Sequence, residues 1–279
     1  MDDEWLAEFI AVLKTGPAWL TGVVHGPWVR VDMRDLRAAV PTRYPIRLYP
    51  DISHTMRCQF PVPDWDRAYA LTYIREPINP RPLGQARIFA DYHPGSIGFV
   101  TYSDGAHDDV NKIVWSALGW DPQADVPAVL REYGRYFIGD ERFGEGLLAL
   151  ERNWKGPLAA NAGVEETLVR FEEMERAATP AMLRNWRFQQ ALYRAATDAY
   201  TRRRLLDESA REQRAMAALR DAQPDAAVRA LDPEPVAPEL RTRIIALAEA
   251  LFQSIGMQLS VKRYGGAGWE RGVTLDTLD

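Results

Sequence analysis

The sequence predicts an α/β domain followed by an all-α one. A partial (β/α) barrel, about three terminal βα units, is expected over residues 1–139, an α-helical domain over 140–260 and a C-terminal tail over 261–279. Three observations predict it. Apolar runs of strand length recur, each followed by a polar loop and then a run of helical period. Those apolar runs do not alternate with polar residues, which is the pattern of parallel strands buried on both faces. Between residues 120 and 259 such runs stop, and the apolar stripes there keep helical spacing.

The elements follow in order. Residues 3–14 place Trp5, Leu6, Phe9, Ile10 and Leu13 on one helical face, with Asp2 or Asp3 as cap and Gly16-Pro17 as stop. A strand, A-W-L-T-G-V-V, leads to a loop holding His25, Trp28 and Arg30, then to a short helix ending before Pro41. The second strand, Y-P-I-R-L-Y-P, leads to Asp51, His54 and Arg57. A Pro-rich connector containing W-D-R-A-Y-A-L-T and P-I-N-P-R-P precedes a helix over 83–91. The third strand, S-I-G-F-V-T-Y, ends at Asp104, His107, Asp108 and Asp109, and the helix D-V-N-K-I-V-W-S-A-L-G-W follows. Asp125 caps the next helix, with Pro127 in its first turn and Gly139 at its end. Further helices are expected over 141–153, 163–178, 180–222 and 238–257, with Asp-Pro-Glu-Pro at 232–235 as a linker.

Composition excludes several classes. The net charge of −5, with Arg and Glu interleaved, lacks the clustered cations of a nucleic-acid surface. One cysteine, Cys58, excludes an internal disulfide and a Cys-based zinc site, and reads as a small buried residue rather than a nucleophile. No apolar run approaches the roughly 18 residues needed to cross a bilayer. The acidic start, M-D-D-E-W, is not that of a signal peptide; the compartment stays open.

In parallel sheets the loops after the strands' carboxyl ends build the site. Asp51 and Asp104 are therefore the expected catalytic carboxylates. His54, His107, Arg57 and Tyr102 are expected to bind substrate or tune those carboxyls, Trp28 to stack on a sugar ring, and Asn79 and Arg81 to stand at the mouth or simply to stiffen the connector. Asp108 and Asp109 read as helix-start residues. Asp51, His54, Asp104 and His107 could ligate a metal, but their spacing matches no established motif, and no cofactor is expected.

The run G-F-V-T-Y-S-D-G-A-H-D-D-V-N-K-I-V-W-S-A-L-G-W-D-P, continuing to F-I-G at 137–139, resembles the end of the barrel in hexosaminidase-like and α-glucuronidase-like glycoside hydrolases. Trp115, Trp120-Asp121-Pro122, Arg131 to Tyr136 and Phe137-Ile138-Gly139 carry the likeness, which covers about residues 18–155. It implies a glycoside hydrolase acting on a poly- or oligosaccharide, with Asp51 the best positional match to a catalytic carboxylate. Both ends of the chain look cut, so a fragment inactive by itself is expected. The alternatives are a complete α/β domain that dimerises through its open sheet edge, and a non-catalytic carbohydrate-binding or scaffold protein.

Overall fold

Helices account for 62% of the fold and strands for only 4% in the computed structural model, which describes residues 3–29, 31–268, 272 and 274–278. This overturns the partial barrel. The architecture is predominantly all-α, with one small parallel pair of strands. Arg30 and Asp2 lie outside the described residues.

Helix α1 (Asp3–Thr15) leads to β1 (Val23–His25), α2 (Met33–Ala39) and β2 (Ile46–Leu48). Asp32 caps α2 by accepting the N–H of Arg34. β1 and β2 pair in parallel, with Val23 opposite Ile46 and His25 opposite Leu48. Alternate residues face a small core of Leu13, Met33, Leu36, Val40, Tyr44, Ile46 and Leu48.

The physical reasons for the missing sheet are local. The first expected strand yields only its end, and Trp19 before it is 76% exposed, so that stretch lacks the burial on both faces expected of a central strand. The third expected strand does run parallel beside β2, with Leu48 bridged to Phe99 and Asp51 to Tyr102, and with backbone bonds from Leu48 to Gly98, Val100 to Leu48, Tyr102 to Pro50 and Ile52 to Tyr102, but it forms no regular strand of its own. Between those bridges stands Pro50, which has no N–H to give to a ladder.

A connector expected to be loop contains α3 (Arg67–Tyr73), capped by Asp66, and α4 (Pro82–Tyr92) follows. Then come α5 (Asp109–Trp120), α6 (Val126–Tyr133), α7 (Arg142–Asn153) and α8 (Gly163–Arg176). Asp125 caps α6 through the N–H of Ala128, and Gly139 takes a left-handed φ of 85° at the end of the following turn. The helix expected over 180–222 is two: α9 (Pro180–Leu183) and α10 (Trp186–Arg220), separated by Asn185, whose side chain caps α10. Helices α11 (Pro224–Ala230), α12 (Pro238–Ile255) and α13 (Val261–Tyr264) close the chain. No described helix is long and apolar enough to cross a membrane.

One continuous core runs from Ile52 and Tyr69 through Trp115, Phe143, Phe171 and Phe188 to Leu251 and Leu278. At its centre lies Arg194, fully buried. Its guanidinium pairs with Asp198 at 2.9 Å, donates to the carbonyls of Ile78 and Leu150, and lies 3.6 Å over the Trp154 ring. Asp198 also accepts from Tyr73 Oη and Asn153 Nδ2. The ion pair is thus fully hydrogen-bonded, as burial of charge demands. It clamps the segment around Ile78 to the helical core.

Candidate functional site

Asp51 and Tyr102 sit side by side where the parallel segments end. Asp51 Oδ1 accepts the N–H groups of Ser53 and His54, the hydrogen-bonded turn that Asp forms readily with the residues after it. This turn places His54 so that its Nδ1 meets Asp51 Oδ2 at 2.8 Å. The other ring nitrogen, Nε2, faces Glu76 Oε1 at 3.1 Å and Asp104 Oδ2 at 3.4 Å.

Glu76 reaches the cluster because Thr55 ties the two loops together. Its N–H and hydroxyl both donate to the carbonyl of Arg75. Asp104 is placed by its own N–H, which donates to Ser53 Oγ and Asp108 Oδ2, and by Tyr102 Oη, which donates to Asp104 Oδ1 at 3.0 Å. The Tyr102 ring stacks on His54 with centroids 5.5 Å apart, and Tyr49 meets Tyr102 edge-on.

Burial alone would pull His54 down, but hydrogen bonds to Asp51 and then Glu76 outweigh it and hold the imidazole at about 9. Burial works against the Asp51 carboxylate, and the hydrogen bond from His54 overcomes it, leaving Asp51 below its ordinary value. The Tyr102 hydroxyl is pushed up to about 12, first by burial and then by Asp104. At neutral pH the centre is an imidazolium shared by three carboxyl groups. One ligand atom each from His54, Glu76 and Asp104 lie within 4.8 Å of one another.

The expected site residues divide. Asp51, His54, Asp104 and Tyr102 come together. Asp51 is buried and accepts from His54 and from its own turn, which fixes the His54 ring. Trp28 stands on the loop after β1 with 73% of its surface exposed, and β1 joins the site edge through the N–H of Tyr49 donating to the His25 carbonyl. Arg57 is exposed on the loop after His54, with a left-handed φ of 51°.

Asn79 and Arg81 do not stand at a mouth. Both are buried and act as braces: Asn79 Nδ2 donates to the Ser53 carbonyl, and Arg81 Nη1 to that of Phe60. Their backbone is stitched to Asn111 of α5, which donates to Ile52 and Asn79 and accepts from Arg81. His107 is likewise buried, in the turn before α5, and lines a small cavity with Ile78, Pro80 and Tyr133 instead of joining His54. Asp108 and Asp109 flank the start of α5, yet neither caps it with its side chain; Asp108 accepts from Ser103 Oγ, and Asp109 from Tyr133 Oη and Arg187.

Glu76 is the residue that sequence reasoning missed. The available signal was weak: a carboxylate directly before Pro77, in a segment that reads as a connector. No protein-family model, no curated protein and no solved structure matches the chain. The likeness to glycoside hydrolases therefore rests on the quoted residues alone.

Proposed function

We propose that this cluster is the acid–base centre of a hydrolase that cleaves glycosidic bonds in a poly- or oligosaccharide. One observation carries the reading: Glu76 and Asp104 converge on the same imidazole nitrogen, with one oxygen of each within 4.8 Å of the other. Two carboxyl groups roughly 5–5.5 Å apart are the spacing of a retaining glycosidase, in which one attacks the anomeric carbon and the other protonates the departing oxygen. Water, losing its proton to the group that protonated the departing oxygen, then hydrolyses the glycosyl ester and frees the attacking carboxylate.

His54 holds the pair together by offsetting their charge, and Asp51 fixes its ring. Asp104 is the more accessible carboxyl, its side chain 17% exposed against 3% for Glu76, so it is assigned to the anomeric carbon, and Glu76 to relaying to the departing oxygen the proton carried on His54 Nε2. Tyr49, exposed and edge-on to Tyr102, offers a ring face beside the centre on which a sugar can stack, and Trp28, on the loop after β1, is a second exposed ring.

The test is turnover of a panel of aryl glycosides by the chain and by Asp104→Asn and Glu76→Gln. Each change is expected to lower kcat at least about 100-fold with the melting temperature nearly unchanged, and the first-formed sugar seen by NMR is expected to keep its anomeric configuration. Unchanged turnover in either variant refutes the assignment. The burial of Glu76 favours a second reading, a carbohydrate-binding protein without catalysis. Oligosaccharide binding by calorimetry that depends on Trp28, with no turnover of any substrate, would select it.

A further inference from the structure

We infer that His54, Glu76 and Asp104 form a binding site for a divalent transition-metal ion, with Zn²⁺ as the best-suited probe. The argument starts from donor type. One imidazole nitrogen and two carboxylate oxygens make a borderline set that suits Zn²⁺, Mn²⁺, Fe²⁺ or Co²⁺ rather than the all-oxygen shell of Ca²⁺ or Mg²⁺.

The spacing agrees. Zinc bonds of about 2.0–2.1 Å to nitrogen and oxygen, directed tetrahedrally, put neighbouring donors about 3.3–3.4 Å apart. Nε2 of His54 stands 3.1 Å from Glu76 Oε1 and 3.4 Å from Asp104 Oδ2. The third edge, between the two carboxylates, is at most 4.8 Å, which a small rotation of the part-exposed Asp104 side chain closes.

The surroundings are those of a metal site too. Metal-ligating histidines give their other ring N–H to a carboxylate, which fixes tautomer and orientation. Here Asp51 Oδ2 takes the Nδ1–H of His54 and leaves Nε2 directed at Glu76 and Asp104. Tyr102 plays the matching part for Asp104 by donating to Oδ1, the oxygen turned away from the cluster. The remaining oxygen, Asp104 Oδ2, is sealed from solvent and accepts no hydrogen bond. Three carboxyl groups crowd one histidine. A divalent ion takes the place of the Nε2 proton, which leaves to solvent, and neutralises the two carboxylates it touches. Water completes the tetrahedron.

This inference stands on the donor geometry and not on the hydrolytic reading. The two meet at the same side chains, so a bound ion withdraws Glu76 and Asp104 from substrate and acts as an inhibitor of any hydrolysis.

The experiment is equilibrium dialysis of the chelator-treated full chain against Zn²⁺ without substrate, with Co²⁺ as an optical probe of the ligand field. One ion per chain is expected, with the absorption of a tetrahedral nitrogen–oxygen site. His54→Gln and Asp104→Asn are each expected to weaken binding at least about 100-fold, and Asp51→Asn, which leaves all three ligands in place, about 10- to 100-fold. Asp140→Asn, far along the chain at the start of α7, is expected to bind as the parent does. Circular dichroism checks that each variant is folded; if His54→Gln unfolds, Asp104→Asn decides. Less than about 0.1 ion per chain, or binding that survives both Asp104→Asn and Asp51→Asn unchanged, overturns the site. Because no turnover is measured, failure here leaves the hydrolytic reading standing, and the reverse holds.

Discussion

Replacing Arg194 with Met is expected to destabilise the protein more than any surface change. The side chain is fully buried, and its loss leaves the Asp198 carboxylate without its counter-charge in the core. It also strips a donor from each of two buried carbonyls, Ile78 and Leu150. Breaking a buried ion pair from one side costs about 3–5 kcal/mol. In a chain of this size that lowers the melting temperature by roughly 10 °C, read by scanning calorimetry. Pairing the change with Asp198→Asn removes the orphaned charge while keeping an acceptor for Tyr73. The double variant is therefore expected to melt above Arg194→Met, by about 1–3 kcal/mol of recovered stability. An Arg194→Met protein within about 1 kcal/mol of the parent, or a double variant that loses the sum of both single effects, refutes the buried-charge reasoning.

Three other outcomes are expected. Gly144 of α7 packs so closely on α6 that a Cβ would lie 2.8 Å from the Leu130 carbonyl, so Gly144→Ala should cost about 1–2 kcal/mol in urea unfolding despite the better helix propensity of alanine. The Cys58 thiol is pushed up to about 11 by burial and then by the Asp51 charge, and its alkylation by iodoacetamide at pH 8 should run about 100-fold slower than that of a free thiol; a rate equal to that of free cysteine would contradict this environment. Trp28→Ala should leave the melting temperature within about 1 °C, since the ring is exposed, while weakening oligosaccharide binding measured by calorimetry.

The helices were legible because burial repeats at their period: Val110, Val114, Trp115 and Leu118 of α5 form the stripe that the sequence shows. The sheet was misread because apolar runs of strand length do not require strands. Trp19 sits in solvent, and the run 96–102 pairs with 46–52 through a few backbone bonds interrupted at Pro50 and forms no regular strand. Helix α3 was hidden in a Pro-rich connector, yet Tyr69 and Tyr73 bury against the aromatic and Arg194 cluster. At the site, Asp51 and His54 were legible as a local pair, three positions apart at the end of an apolar run. Glu76 was not, because its place depends on Thr55 grasping the Arg75 carbonyl, a tertiary bond with no trace in spacing. His107 was misplaced for the converse reason: its nearness to Asp104 in sequence says nothing of the turn that sends it to another cavity.

The cluster at His54 also has an order of assembly written into its sequence separations. The contact to Asp51 spans three positions, the contact to Glu76 spans 22, and that to Asp104 runs from 54 to 104. The first can form within an isolated turn, and the other two wait for loops to close. Yet closing the longer loop instead of the shorter costs only about 0.7 kcal/mol more in chain entropy, because the penalty grows as the logarithm of length. The intervening stretches, the exposed turn at Pro94–Gly95 and the loop around Asp64, can therefore lengthen by many residues at small thermodynamic cost. Such places tolerate inserted peptides or tags, and a reporter spliced into either would leave the three carboxylates gathered on one imidazole.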